Sequence, residues 1–379
     1  MTSVETLIVG AGPAGLAVAG RLHKQNKTFT IVEKAENVAS SWRSHYDRLH
    51  LHTVKQLSHL PHLSYPESYP PYVSRDQLIA YMESYIKTFD IKPVYNCSVE
   101  NIGERADDGS RIINTSNSQS YTAQNIVIAT GVNRVPNSPS WPGQELFDGE
   151  IVHSRFYKNA EPYVGKRVLV VGFGNTGAEV ALDLCNSGAE VGVVIRSPIT
   201  IVPRDVFGRP VQLTAKKLAK IPLGIGDWLG SQIRRLVIGN LSSYGVPVSK
   251  EHPAVQLRDT GKTPVIDLGT ARKIQSGDIN VYRDIESISA SAVTFTDGRH
   301  FEADVILLAT GYKSSLDDFL PAAERMLDAN GYPQSSIGQG EFAGIYFVGF
   351  NVYQLGGVFG TIQSDSLEVV DHICGAVAV

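Results

Sequence analysis

The sequence predicts an α/β fold of two nested Rossmann-like dinucleotide-binding domains, in which the second domain is inserted into the first. Two repeats carry this prediction. Residues 7–15 (LIVGAGPAG) and 169–177 (LVVGFGNTG) are apolar runs that lead into G-x-G-x-x-G, and a helical pattern and a second apolar strand follow each. Residues 126–131 (IVIATG) and 305–311 (VILLATG) are apolar strands that end in Ala-Thr-Gly, on either side of the second glycine motif.

Length and composition are compatible with such a fold and exclude some classes of function. The chain has 379 residues, enough for two domains, and its 42% of hydrophobic residues supply their cores. The net charge of -4 gives no electrostatic case for binding nucleic acid. No apolar run approaches the length of a membrane span, the N-terminus leads straight into the first motif, and the three cysteines form no C-x-x-C pair. We therefore expect a cytoplasmic protein with no transmembrane segment.

The order of the repeats predicts the domain bounds. We expect the first domain over residues 1–145 and 300–379, and the second over residues 146–299. A cluster of prolines and a glycine within residues 136–143 marks the exit from the first domain, and Asp297-Gly298 marks a turn before the return.

The two glycine motifs predict phosphate-binding turns. The first two glycines permit a tight turn and close approach to a pyrophosphate, the third lets the helix pack on the strand, and the helix N-terminus offers N–H groups. One such motif could be a glycine-rich turn of an unrelated α/β protein, but two in the same strand–helix–strand context disfavour that alternative. The residues assigned to the turns are Gly10, Gly12, Pro13, Ala14 and Gly15, and Gly172, Gly174, Asn175, Thr176 and Gly177.

The residue after each second strand distinguishes the two nucleotides. In the first repeat this residue is Glu33, a carboxylate that can bind ribose hydroxyls and repels a 2′-phosphate, which predicts FAD. In the second it is Arg196, followed by Ser197, and a guanidinium can hold the 2′-phosphate of NADPH in a forked ion pair. The alternative for Arg196 is a solvated charge at the end of a strand.

A third motif carries a resemblance to a known family. Residues 147–157 (FDGEIVHSRFY) match F-x-G-x-x-x-H-x-x-x-Y, which identifies flavin-containing monooxygenases, and residues 309–312 (ATGY) match a second hallmark. Segments such as 46–49 (YDRL) and 261–267 (GKTPVID) resemble the YUCCA-type branch, the plant indole-3-pyruvate monooxygenases. By this resemblance the chain is similar to class B flavin-containing monooxygenases, with a glutathione-reductase-like fold.

The resemblance implies the chemistry. NADPH would reduce FAD, the reduced flavin would form a C4a-(hydro)peroxyflavin with O2, and one oxygen atom would enter a small organic substrate. That substrate would be an α-keto acid such as indole-3-pyruvate, by oxidative decarboxylation, or a soft nitrogen or sulfur nucleophile. The protein would orient the cofactors and exclude water. The plant branch has a basic pair after its late Gly-Phe, whereas here Gly349-Phe350 is followed by residues 351–354 (NVYQ).

The resemblance also proposes site residues. His52 stands where many members have the Asn of T-N-x-P-K-E, so it is a candidate hydrogen-bond donor near the flavin, with Lys55 and Gln56 beside it. A structural histidine is the alternative, and a metal site at His50-x-His52 is disfavoured because no Cys accompanies the pair. The other residues assigned to the cofactors are Lys34, Trp42, Arg43, Val99, Ala129, Thr130, Gly131, Ala309, Thr310, Gly311, Tyr312 and Phe350.

Other functions stay open from the sequence. An NADPH-dependent flavin oxidoreductase or electron carrier without oxygen transfer would share the architecture, and so would a non-catalytic nucleotide sensor. A disulfide reductase would need the redox-active cysteine pair that this chain lacks. The expected partners are O2 and a small-molecule substrate, and a homodimer is left open. Residues 225–241 have helical periodicity, which predicts either an insertion packed on the NADPH domain or a surface helix that touches a membrane or a partner.

Overall fold

The structure is a computed structural model that describes residues 1–213, 237–249, 251, 253–354 and 356–375. The chain folds into two compact units. Unit 1 comprises Met1–Ser44, Leu49–Val135 and the chain from Tyr312 onward, and unit 2 comprises His45–Arg48 and Pro136–Gly311. Most of the predicted helix over 225–241 lies outside the described residues.

Helices and strands alternate along much of the chain. The helices with described bounds are α1 (Pro13–Lys24), α2 (Ser40–Arg43), α3 (Arg75–Thr88), α4 (Asn175–Asn186), α5 (Pro253–Thr260), α6 (Thr270–Gln275) and α7 (Gly357–Ile373). The strands are β1 (Thr2–Val9), β2 (Thr30–Val32), β3 (Val99–Ile102), β4 (Arg111–Thr115), β5 (Ser120–Ile128), β6 (Val135–Pro136), β7 (Glu150–His153), β8 (Arg167–Val171), β9 (Glu190–Val194), β10 (Ile201–Pro203), β11 (Asp205–Val206), β12 (Arg209–Pro210), β13 (Val265–Asp267), β14 (Ile279–Tyr282), β15 (Ile285–Ile288), β16 (Ala292–Phe295), β17 (His300–Glu302), β18 (Val305–Leu308), β19 (Tyr312–Lys313) and β20 (Ile345–Phe347).

Unit 1 is built on a mixed sheet of order β2-β1-β5-β4-β3, with β20 also paired to β5. β1, β2, β5 and β20 run parallel, and β3, β4 and β5 form an antiparallel edge. Side chains of β1 alternate between two buried layers, because Ile8 joins the layer that contains α1, α3 and α7 while Leu7 and Val9 join the other. Burial on both faces explains why the last three residues of β1, Leu7, Ile8 and Val9, are all apolar.

Local sequence sets where the helices of unit 1 begin. α1 follows the N-cap Gly12 and has Pro13 in its first turn, where a missing N–H costs no hydrogen bond. α3 begins with a capping box, in which Ser74 and Gln77 each accept from the other's backbone N–H. α7 packs along α1, and the two helices form one side of the unit's core.

Unit 2 is built on a parallel sheet of order β14-β9-β8-β18-β7, and α4 follows β8. An antiparallel meander of β15, β16 and β17 packs on one face through Phe295 and Phe301, which join Leu169 and Val194 of the sheet in one apolar cluster. Two smaller pairs complete the described part of the unit: β10 with β13, and the hairpin of β11 and β12.

The units divide outside the predicted bounds of residues 146 and 299. The division falls between Val135 and Pro136 and between Gly311 and Tyr312. The reason lies in β18, whose residues 305–308 pair in parallel with both β7 and β8 of unit 2. The second Ala-Thr-Gly motif therefore follows an interior strand of the unit 2 sheet, whereas the predicted bounds assign it to the first domain.

Candidate cofactor sites

The first glycine turn of unit 1 joins β1 to α1. Gly10 has φ +108°, and a Cβ atom there would lie 2.8 Å from the carbonyl oxygen of Ala129. A Cβ atom on Gly15 would lie 2.0 Å from the carbonyl oxygen of Gly10, so the helix could not pack on the strand. At Gly12, no described heavy atom lies within 4 Å of the Cβ position. The first and third glycines are thus needed for packing, and the second leaves open space for a ligand.

The second glycine turn, between β8 and α4 of unit 2, repeats this arrangement. Gly172 has φ +98°, and its Cβ would lie 2.5 Å from the carbonyl oxygen of Ala309. The Cβ of Gly177 would lie 2.1 Å from the carbonyl oxygen of Gly172, and no described atom lies within 4 Å of the Cβ position of Gly174. The equivalent glycines have the same function in both turns.

Both helices that follow the turns begin without a side-chain cap among the described residues. The N-cap positions are Gly12 and Gly174, and the first intrahelical bonds are Leu16 N–H to the Gly12 carbonyl and Ala178 N–H to the Gly174 carbonyl. The N–H groups of the first turn lack helical acceptors and point along the positive end of the helix dipole. Such a terminus is suited to a phosphate group.

Glu33 is a buried carboxylate beside the first turn, with 5% of its surface exposed. One oxygen accepts a hydrogen bond from Ala11 N–H at 2.7 Å, and the other accepts from Ala35 N–H at 3.0 Å and from Ser40 Oγ at 3.1 Å. A carboxylate has about four acceptor positions, so one stays available for a ribose hydroxyl. Its position therefore fits the adenosine end of a dinucleotide, and Ser40 is a partner that sequence reasoning missed.

Arg196 lies just beyond β9 of unit 2 and is exposed. Its guanidinium forms no hydrogen bond or ion pair with any residue that the structure describes, and the half-buried Ser197 follows it. Asn175, the first residue of α4, is already engaged: its Oδ1 accepts from Ile266 N–H at 2.7 Å, which joins α4 to β13. Asn175 therefore holds the GKTPVID segment in place, a function that the glycine motif did not reveal.

The two Ala-Thr-Gly motifs end β5 and β18 next to the glycine turns, but their threonines differ. Thr130 Oγ1 is buried and has no hydrogen-bond partner among the described residues. Thr310 Oγ1 donates to the carbonyl oxygen of Asn137 at 2.5 Å. Gly131 and Gly311 follow with φ of +77° and +81°, and no described atom lies near either Cβ position. An unpartnered hydroxyl beside the first turn fits a ligand that completes its bonding.

The monooxygenase-type motif of residues 147–157 forms a polar network within unit 2. His153 Nδ1 accepts from Arg155 N–H at 3.0 Å, so its Nε2 carries the proton and donates to the Gly311 carbonyl at 3.1 Å. Burial lowers the pKa of His153, which favours this neutral form. Tyr157 donates to Asp183 at 2.6 Å, and burial, with that carboxylate, raises the pKa of the Tyr157 hydroxyl. The motif therefore fixes the end of β18.

His52 lies in a loop of unit 1 that is held in place by tyrosines. Tyr65 donates to the Ser58 carbonyl at 2.9 Å, Tyr81 to the Leu63 carbonyl at 2.6 Å, and Tyr85 to the Pro61 carbonyl at 2.9 Å. Burial raises the pKa of all three hydroxyls, so they stay protonated donors.

The same loop reaches the N-terminus of α7. A Cβ on Gly357 would lie 3.1 Å from Thr53 Cγ2, and Gln363 Nε2 donates to the His59 carbonyl at 2.6 Å. His52 itself is half-buried. The structure thus brings the predicted donor loop and the glycine-rich start of α7 together in unit 1.

Several predicted site residues have other contacts. Lys55 Nζ donates to the carbonyls of Glu67 at 2.8 Å and Tyr69 at 2.5 Å, so it holds the backbone of residues 67–69, and Gln56 is exposed. Arg43 forms an ion pair with Glu83. The rest are placed as follows: Trp42 against Phe359 with ring centroids 6.0 Å apart, Val99 in the core through β3, Phe350 buried against Phe347, Lys34 exposed after Glu33, and Tyr312 half-buried at the start of β19.

The described residues contain no group of three or more His, Cys, Asp or Glu side chains arranged to hold a metal ion. Within the same residues, no helix is both long and apolar enough to cross a membrane.

Comparisons with known proteins agree with this geometry. The family described as pyridine nucleotide-disulphide oxidoreductase matches residues 7–206. The chain is 40% identical over 362 residues to the probable indole-3-pyruvate monooxygenase YUCCA9 of Arabidopsis thaliana, with 93% of this chain and 85% of that protein covered. The chain belongs to the YUCCA family of flavin-dependent monooxygenases.

Further relatives of this YUCCA family member support the assignment. The chain is 37% identical over 374 residues to the indole-3-pyruvate monooxygenase YUCCA1 of Oryza sativa subsp. japonica, which covers 97% of this chain and 90% of that protein. A flavin-containing monooxygenase from Stenotrophomonas maltophilia has the same fold, with a TM-score of 0.76, 17% identity and full coverage of both chains. The predicted family, the two-domain Rossmann-type fold and the FAD- and NADPH-dependent monooxygenase class are confirmed.

Proposed function

We propose that unit 1 binds FAD, that unit 2 binds NADPH, and that the enzyme transfers one atom of O2 to a small organic substrate. The contrast between Glu33 and Arg196 after two equivalent glycine turns carries the assignment of the two cofactors. A buried carboxylate suits ribose hydroxyls and repels a 2′-phosphate, whereas an exposed guanidinium suits the 2′-phosphate. The confirmed family supports the oxygen chemistry.

In this proposal, each glycine turn and the residues near it bind one part of a cofactor. In unit 1, Gly12 and the N–H groups that open α1 would hold the FAD pyrophosphate, Glu33 would accept from the ribose, and Thr130 would donate to the bound cofactor. In unit 2, Gly174 and α4 would hold the NADPH pyrophosphate, and Arg196 with Ser197 the 2′-phosphate. FAD, once reduced by NADPH, supplies the activation of O2.

The substrate is proposed from two chemical classes. An α-keto acid is the first, because the relatives are named for indole-3-pyruvate, and its oxidation would release CO2, the shortened acid and water for one NADPH and one O2. A soft nitrogen or sulfur nucleophile is the second, because residues 351–354 (NVYQ) hold no basic side chain and Tyr353 is bonded to Asp328. The three cysteines are free thiols, which supports the proposed cytoplasmic location.

The proposed function is tested by NADPH-driven turnover under ¹⁸O2. We expect the purified protein to release FAD on denaturation, to prefer NADPH to NADH, and to place one ¹⁸O atom in the product from an α-keto acid, amine or sulfide. NADPH oxidation that reduces an added electron acceptor and places no ¹⁸O in any product would instead support the electron carrier.

His52 is proposed to donate a hydrogen bond at the flavin, so that less reduced oxygen escapes as peroxide. In the same assay, His52→Ala should keep FAD and the rate of flavin reduction but raise hydrogen peroxide per NADPH, and His52→Asn should restore part of the coupling. His62→Asn is the matched control, because His62 is exposed in the same loop and its φ of +65° suits Asn. Equal peroxide yields in His52→Ala and wild type would assign His52 a structural function.

A further inference from the structure

A short backbone segment, residues 349–351, passes between the first turn of α1 and the middle of α7. Gly349 has φ +83°, and a Cβ atom there would lie 3.2 Å from Ile362 Cγ1 and 3.4 Å from Ala14 Cβ. Ala14 belongs to the glycine motif that opens α1. The segment therefore lies directly against the turn that is proposed to bind the FAD pyrophosphate.

Two side chains from one face of α7 hold this segment. Asp365 Oδ2 accepts a hydrogen bond from Gly349 N–H at 2.9 Å, and Thr361 Oγ1 donates to the Asn351 carbonyl at 2.9 Å. The two side chains are one helical turn apart and are 5% and 4% exposed. They fix an N–H group and a carbonyl group of the same three-residue segment, so the segment cannot shift without breaking a buried hydrogen bond.

Burying a carboxylate in the Asp365 position costs desolvation free energy, which a purely structural hydrogen bond to Gly349 would not require. Burial raises the pKa of the Asp365 carboxyl to about 6, so the fold makes its ionisation less favourable than in water, although the group is still mostly ionised at neutral pH. A neutral amide could accept the same N–H group without that desolvation. The titratable groups on elements packed around this part of α7 are Glu368 on the helix itself, Arg21 on α1, Tyr346 on β20, His372 and His59.

We infer that Thr361 and Asp365 form a clip that positions segment 349–351 against the α1 glycine turn and thereby slows the loss of FAD. They are positioning residues, since they act through the backbone of the segment. The inference rests on the proposed FAD site in unit 1 but does not depend on the substrate or on oxygen transfer.

The clip is tested by the rate at which the holoenzyme releases FAD, followed by the rise of flavin fluorescence after dilution. Asp365→Ala removes the acceptor and should speed release roughly ten- to a hundredfold, and Asp365→Asn, which keeps a neutral acceptor, by about fivefold. Thr361→Val has nearly the same shape and should speed release by about fivefold. Glu368→Gln is the control at pH 7.5. It neutralises an exposed carboxylate on the same helix whose charge raises the Asp365 pKa, so Asp365 stays ionised and FAD should be released at the wild-type rate.

The pH dependence separates positioning from a structural contribution. Protonation of Asp365 weakens its acceptance of the Gly349 N–H, so wild-type FAD release should accelerate as the pH falls from 7.5 to 5.5 across a pKa of about 6. Because its folded pKa lies above its unfolded value, the contribution of the same group to the stability of the apoprotein should increase over that range. Asp365→Asn should remove both trends.

Different results would contradict the clip and the proposed FAD site. Wild-type FAD release in Thr361→Val and Asp365→Asn would overturn the clip, even if Asp365→Ala proved too unstable to purify. A wild-type protein that binds no FAD would overturn the proposed cofactor site instead.

Discussion

The two glycine turns have the same backbone geometry but prepare opposite polar groups for their ligands. In unit 1, Glu33 is buried and already accepts three hydrogen bonds, while the Thr130 hydroxyl is buried without a described partner. In unit 2, Arg196 is exposed and without a described partner, while Thr310 donates to Asn137. Each unit thus fixes one polar group through contacts within the protein and leaves another without a described partner, and we propose that the bound cofactor bonds to this second group.

This contrast follows from the chemistry of the groups. A buried carboxylate must be hydrogen-bonded by the protein, because an unpaired charge in the interior is costly. A guanidinium on a long side chain can stay solvated in the absence of ligand and form an ion pair when a phosphate group binds. That ordering costs side-chain entropy. The fold therefore fixes the Glu33 carboxylate, which we propose binds ribose, more rigidly than the Arg196 guanidinium, which we propose binds the 2′-phosphate.

The largest effect should come from adding a methyl group at the open glycine of either turn. Gly12→Ala should weaken FAD binding roughly a hundredfold or more, because the methyl group blocks the backbone approach and its charge-assisted hydrogen bonds. Gly174→Ala should do the same to NADPH. No described atom lies within 4 Å of either Cβ position, so both apoproteins should melt at close to the wild-type temperature.

Each of these variants is the control for the other. Flavin fluorescence measures FAD retention, and titration calorimetry with NADP⁺ measures the second site. If Gly12→Ala lost both cofactors, or if neither variant lost one, the assignment of one dinucleotide to each turn would be wrong.

The next effect concerns the choice of coenzyme. Arg196→Ala should lower the preference for NADPH over NADH about ten- to a hundredfold, since it removes roughly 1.5–3 kcal/mol of charge-assisted bonding to the 2′-phosphate. The measurement is the rate of flavin reduction by each coenzyme. Arg272→Ala is the control, because Arg272 is also exposed in unit 2 but lies on α6. An unchanged coenzyme ratio in Arg196→Ala would show that Arg196 is only a solvated strand-end charge.

The local parts of both turns could be predicted from the sequence. The steric need for Gly15 and Gly177 arises within one strand–turn–helix unit, because a Cβ atom there would meet the carbonyl oxygen of Gly10 or Gly172. The need for Gly10 and Gly172 also depends on distant residues, because a Cβ atom there would meet the carbonyl oxygen of Ala129 or Ala309. The position of the residue after each second strand can also be read from the sequence, because it is where the apolar run of that strand ends. For this reason the sequence alone predicts Glu33 and Arg196 as the residues that follow the second strands.

Contacts made at a distance in sequence could not be predicted. Nothing in the sequence shows that Lys55 is bonded to the backbone of residues 67–69, or that Asp365 accepts from Gly349. The sequence predicts the return to unit 1 at residue 300, before β18, because an apolar strand before Ala-Thr-Gly suits either sheet; the structure has it after Gly311. Only its pairing with β7 and β8 assigns β18 to unit 2.

The smallest expected effects come from replacing Thr130 and Thr310, the two threonines of the Ala-Thr-Gly motifs. They test the difference between the two units most directly. Thr310→Val removes a hydrogen bond to Asn137 and should destabilise the apoprotein by about 1 kcal/mol. Thr130→Val removes a buried hydroxyl that has no described partner, so the apoprotein should be as stable as wild type or slightly more stable. In the holoenzyme the order should reverse for FAD, because Thr130 is proposed to donate to it, and Thr130→Val should release FAD about fivefold faster.

Thr6→Val supplies the matched control for Thr130. Thr6 Oγ1 is also buried without a described partner, and it lies on β1 of the same sheet, three residues before the end of the strand. Its replacement should leave both thermal melting and FAD release unchanged, or raise the melting temperature slightly. Equal rates of FAD release from Thr6→Val and Thr130→Val would mean that the Thr130 hydroxyl does not bond to FAD. Faster release from Thr130→Val alone would show that the orphaned hydroxyl of unit 1, like the guanidinium of unit 2, is completed by its cofactor.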